Sequence, residues 1–164
     1  MRRPPLVLVL VAVLMIALGE TAGALMSPFR SATDRYARAR VTANAVAHGL
    51  GGEDGAASHF EAGVSFFHTH AEGLAPVILL AGTIVASVVP GGAVRRVLYA
   101  LLTVGALFPL GYVAYAVATL ETGREAGVAF AERYVLTPLG SAAILALLGL
   151  VVVLARTTRS SPSE

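Results

Sequence analysis

His68 and Glu72 stand four residues apart in the run Val64-Ser65-Phe66-Phe67-His68-Thr69-His70-Ala71-Glu72-Gly73, which leads into a long apolar stretch. On a helix that spacing places an imidazole and a carboxylate side by side on one face. Such a pair suits two kinds of chemistry: ligation of a divalent cation, or proton handling in which the carboxylate stabilises the imidazolium. Ionisable side chains at membrane depth are costly to bury, so the pair is a candidate functional site. The competing reading is an interfacial pair that satisfies only itself. His70 is turned about 200° from His68 on a regular helix, so this His-x-His does not aim two imidazoles at one metal.

Helical phase groups His68 with Glu61, Ser65, Glu72, Thr83 and Ser87 in a sector of roughly 100°, a polar stripe predicted to face the interior of a bundle. His70 falls on the other side with His59 and is the candidate cofactor-binding residue there. Glu20, near the far end of the first apolar segment, is the predicted third metal ligand. A His68/Glu72/Glu20 set would accept zinc, copper or iron. His48 and His59 read as helix-end residues in polar surroundings.

Composition sets the elements that must hold these groups. Of 164 residues, 56% are hydrophobic and only 13% charged, far from the average soluble chain. Cysteine is absent, which excludes disulfides, thiolate metal sites and iron–sulfur clusters. All twelve basic residues are Arg and the net charge is +2, with no nucleic-acid footprint. Apolar segments cover 6–26, 71–89, 97–120 and 135–155, each near the roughly 20 residues that a spanning helix needs.

The predicted fold is all-α: an integral membrane four-helix antiparallel bundle in one domain over 1–164. Its helices are expected at about 6–26, 59–89, 95–120 and 134–155, with an outer loop 27–58 and a cytoplasmic tail 156–164. Within that loop 31–48 lacks Gly and Pro and has Asp34 four residues before Arg38, predicting an extracytoplasmic amphipathic helix between the first two spans. The Gly-rich stretch 49–55 reads as a connector. Ser58 and Glu61 fit a capping box, so the second helix is expected to start near His59 and to project beyond the lipid. Pro76 should kink that helix, and Pro109 with Gly111 the third.

The first segment has two readings. Arg2 and Arg3 before an apolar run that ends near Ala22-Gly23-Ala24 fit a cleavable signal peptide. A retained helix would instead use Gly19-x-x-x-Gly23 for close packing. Arg95 and Arg96 in the shortest loop put that loop in the cytoplasm, and both termini with it if the first helix is retained. A bacterial-type inner membrane is the expected location.

A His-x-His at the outer start of a membrane helix, followed by small and aliphatic residues to about Ser87, resembles small four-helix bacterial membrane proteins related to the haem-copper oxidase catalytic subunit. The resemblance implies that His68 and His70 are haem or copper ligands. A bis-histidine haem needs a second imidazole from another helix, and the third and fourth segments have none. His48, Met15 or Met26 would have to supply that ligand.

The leading expectation is a non-enzymatic membrane protein whose His/Glu site near the outer face binds a metal ion or haem, as an accessory of a respiratory or metal-handling complex. A small proton-coupled transporter is the first alternative. The second is a scaffold subunit that meets another chain, or its own copy, through 31–48. The lipid bilayer is the expected partner throughout. No nucleophile–base set or phosphate-cradling loop points to catalysis.

Overall fold

A computed structural model describes residues 3–49 and 53–159, and every regular element among them is helical. Four stretches are long and apolar enough to cross a membrane: Leu6–Met26, Ala57–Val88, Ala93–Thr122 and Arg124–Thr157. Leu10, Leu80, Leu145 and Leu148 are all more than half exposed on them, an apolar surface that water would penalise and lipid would not.

Helix α1, Leu6–Met26, buries Leu8, Ala12, Met15 and Gly19. Those positions recur every three or four residues and make one narrow stripe. The stripe lies on α4, Glu53–Val88, with Gly82 meeting Leu8 and Gly19 meeting Ala71. Helix α4 starts six residues earlier than the capping box predicts. Ser58 and Glu61 both lie inside it, as does Gly55, which was expected in the connector; residues 50–52 of that connector lie outside the described residues. Pro76 does not interrupt α4. It has no amide to donate to the carbonyl of Glu72, four residues back.

The third apolar segment is divided rather than merely kinked. Helix α5 covers Ala93–Gly105 and α6 covers Leu110–Thr122. Pro109 cannot donate to the Gly105 carbonyl, and Phe108 takes that carbonyl instead in a tighter turn, N to O 3.0 Å.

The fourth helical stretch begins ten residues before the predicted 134, with α7, Arg124–Ala131, a π-helical turn at Glu132–Leu136, and α8, Thr137–Arg159. Pro138 accounts for the widened turn: its ring crowds the Tyr134 carbonyl and it has no N–H to give that carbonyl in the α-helical register. Glycines bring this stretch onto the third. A Cβ at Gly105 would sit 2.7 Å from the Ala143 backbone, and one at Gly127 would sit 2.5 Å from the Thr119 backbone. Leu98, Leu102, Ala146 and Leu150 complete that packing and join Leu8, Ile78 and Val85 in the main core.

Between α1 and α4 an arm is formed by α2, Arg30–Ala43, and the single turn α3, Ala45–His48. The predicted helix 31–48 is therefore present but broken at Asn44. Ala37 and Val41 bury its inner face against Leu120, with Ala57 and Phe60 alongside.

Candidate functional site

Two glycines one helical turn apart open a notch in α1, and His68 of α4 occupies it. A Cβ on Gly23 would fall 2.6 Å from His68 Nδ1 and 2.8 Å from Nε2. The imidazole therefore lies over bare backbone. There His68 Nδ1 is 3.0 Å from the Gly19 carbonyl and 2.8 Å from Glu72 Oε1. Both neighbours are acceptors, which assigns the hydrogen to Nδ1 and leaves Nε2 as the lone-pair atom of the ring. His68 and Glu72 keep 30% and 35% of their side-chain surface, so the pair sits on the rim of the α1–α4 seam.

The rest of the predicted set disperses. Glu20 is exposed on α1. Among the described residues no three His, Asp or Glu side chains converge closely enough to hold a metal ion, so the His68/Glu72/Glu20 set is not assembled. Glu61 pairs with Arg30 of the arm at 3.2 Å in an exposed salt bridge. Ser65 is half-buried and its carbonyl accepts from Thr69.

Thr83 and Ser87 are exposed, each donating to a carbonyl of its own helix, Leu79 and Thr83 respectively. The polar stripe thus does not face the interior along its length. The buried face of α4 is centred on Ala71, Ala75, Ile78, Gly82 and Val85, and the stripe lies roughly a quarter-turn to one side of it at 100° per residue. Of the stripe, His68 reaches the Gly19 carbonyl of α1, carrying its partner Glu72 to that seam, and Glu61 reaches Arg30 of the arm.

The other three histidines serve α6. His70 Nδ1 donates to the Phe66 carbonyl at 2.8 Å, so its Nε2 accepts from the Tyr112 hydroxyl at 3.3 Å. Its ring lies 4.5 Å from that of Tyr112 and 5.7 Å from that of Phe108. Both nitrogens of the predicted cofactor ligand are thus engaged within the chain. His59 Nδ1 meets the Tyr115 hydroxyl at 3.1 Å, and His48 Nε2 donates to the Leu120 carbonyl at 2.9 Å.

Leu120 is among the last four residues of α6, whose carbonyls have no helical donor. Asn44 Nδ2 reaches the same carbonyl and Glu121 Oε2, each at 3.2 Å. Arg40 grips Glu121 with both ends of its fork, Nε to Oε1 at 2.8 Å and Nη2 to Oε2. That contact holds the Arg40 guanidinium above its ordinary pKa, first through the hydrogen bond and then through the charge of Glu121. Cationic and amide donors at a helix C-terminus also complement its dipole. Sequence reasoning did not find Tyr112 and Tyr115 as partners of His70 and His59, nor Arg40, Asn44 and His48 as one clamp. Arg40, Asn44 and His48 do recur every four residues, but the α6 groups that they and the two histidines meet lie more than forty positions away, where no local spacing points.

The fold and site define a class: a small all-helical protein with four stretches fit to span a membrane and a histidine-rich end where a helical arm is fastened. Compared with protein-family models, curated proteins and solved structures, the chain matches none.

Proposed function

We propose that the chain is an integral membrane protein whose four spans run antiparallel, with both termini cytoplasmic and the arm on the outer side. It works as a non-enzymatic scaffold subunit that presents the arm to another chain. Arg95 and Arg96, in the shortest loop at the end opposite the arm, support that orientation by the positive-inside rule. The observation that carries the function is the clamp: Arg40, Asn44 and His48 all converge on the last turn of α6. A polar segment that only linked two spans would not need three side chains to fix its pose.

A photo-crosslinking residue placed in the cell-expressed protein at Arg35, Ala39 or Val46, all exposed on the arm, tests this. Discrete protein adducts are expected at those positions and not at the lipid-facing Leu10 and Leu148, and they should weaken in Arg40→Ala. Adducts no stronger than those at Leu10 would refute it.

One observation favours a second reading, metal or haem binding. A ligating imidazole almost always gives its other N–H to a carboxylate or a backbone carbonyl, and His68 Nδ1 meets one of each. In this reading Glu72 orients the ligand rather than binding metal, and Nε2 faces the ion. Elemental analysis and an optical spectrum of wild type and His68→Ala decide it: signals that are absent, or identical in both, exclude this reading.

A further inference from the structure

One wide cavity is lined by no histidine. It lies between the last turn of α1, the start of the arm and the first turns of α4, with a volume of about 1020 Å³. That is at the upper edge of the roughly 300–1,000 Å³ common for small-molecule sites. Leu25, Met26, Phe29, Phe60 and Val64 give it an apolar wall. Val64 is one turn from His68 and Ala22 adjoins Gly23, so the floor of the cavity is the top of the α1–α4 seam.

The rim differs from the wall. Arg30 meets Glu61 at 3.2 Å and Arg38 meets Asp34 at 3.1 Å. Two bases and two acids thus stand in pairs among the lining residues, so local fields of both signs border the apolar wall. An apolar wall favours a hydrocarbon chain that water solvates poorly. A rim of this kind favours a head group that also carries both signs. An anion alone would also meet two carboxylates, and a cation alone two guanidiniums, and like charges at close range repel.

We propose that this cavity is a binding site for a zwitterionic phospholipid, its phosphate toward Arg30 and Arg38, its ammonium toward Glu61 and Asp34, and an acyl chain along Phe60 and Val64. Drawing that lipid from the outer leaflet rests on the orientation proposed above. The pocket chemistry does not, so the test is done in detergent, where failure of the orientation leaves its result unchanged. Purified full-length protein is mixed in turn with phosphatidylethanolamine, phosphatidylglycerol and a free fatty acid of matched chain length, and retention is read by native mass spectrometry under stepped activation.

One phosphatidylethanolamine per chain should be held about tenfold better than either competitor. Val64→Trp and Ala22→Trp fill the cavity and should abolish retention while helicity by circular dichroism is unchanged. Glu61→Gln, on the surface and tolerant of change, should move the preference toward phosphatidylglycerol. Equal retention of all three amphiphiles, preference for the fatty acid, retention that survives both Trp substitutions, or unaltered preference in Glu61→Gln would each overturn the assignment.

Discussion

Gly23→Ala should destabilise the protein only while His68 is present. The added methyl would lie 2.6 Å from His68 Nδ1 and 2.8 Å from Nε2, so the ring must leave the notch. Leaving forfeits its bond to the Gly19 carbonyl, about 0.6 kcal/mol for an average interhelical bond in a membrane and up to about 1.7. Overpacking adds about 1–3 kcal/mol. Against these stands about 1 kcal/mol from the better helix propensity of Ala over Gly. The net is a loss of about 1–4 kcal/mol.

In a His68→Ala background the ring is gone and only the propensity gain is left, so Gly23→Ala becomes neutral or stabilising by up to about 1 kcal/mol. The propensity term cancels in the cycle, so the coupling is about 2–5 kcal/mol, in the upper part of the range for side chains in contact or above it. Reversible unfolding in mixed micelles, followed by circular dichroism across a complete double-mutant cycle, measures it. Gly19→Ala is the control. Its methyl would meet Ala71 Cβ at 2.7 Å, which cannot rotate away, so its cost should persist without His68. Gly73→Ala, with open space around it, should cost nothing. If Gly23→Ala costs the same in both backgrounds, to within about 0.5 kcal/mol, the imidazole does not fill the notch.

Two further outcomes follow from the same packing. Arg40→Ala should loosen the arm without unfolding the bundle, with amide exchange across 30–48 several-fold faster and α4 and α8 unchanged. Because Arg40 and Glu121 are partly exposed, high salt should shrink the difference. Mass spectrometry of protein purified from membranes should recover the first helix, Leu6–Met26, as part of the chain. Cleavage after Ala24 would strip Leu8, Ala12, Met15 and both notch glycines from the seam, and a mass short of those residues would refute the packing of α1 against α4.

The spans were legible because a lipid-length apolar run has few other uses. Their ends were not, because a helix does not stop where lipid does. Helix α4 runs back to Glu53 and α7 begins at Arg124 and Glu125, polar residues that an argument from hydropathy assigns to loops. Gly123, at φ +82° and with the Ala47 carbonyl where its Cβ would be, marks the real break between α6 and α7. The break at Pro109 was signalled, but its depth depended on Phe108 taking the Gly105 carbonyl.

The polar stripe on α4 failed for a reason specific to lipid-facing helices. In water, polarity reports the exposed face of a helix, and in a bundle within lipid the inference is commonly inverted. Neither rule binds Thr or Ser, whose hydroxyls are satisfied by the carbonyl four residues back whichever way they face. Thr83 and Ser87 do this on the exposed side of α4. Small residues are the better guide, because backbones approach closely only where side chains are short. Gly63, Ala71, Ala75 and Gly82 follow the buried face of α4, and Gly105, Gly111, Gly127 and Gly140 line the contact between the third and fourth stretches. On that reading the Gly19-x-x-x-Gly23 pair was the stronger half of the site signal. It marks where α1 is bare, and His68 and Glu72 matter because they are the ionisable pair that reaches that bare place. The chemistry of the pair is therefore set by a carbonyl on the neighbouring helix as much as by the carboxylate beside it.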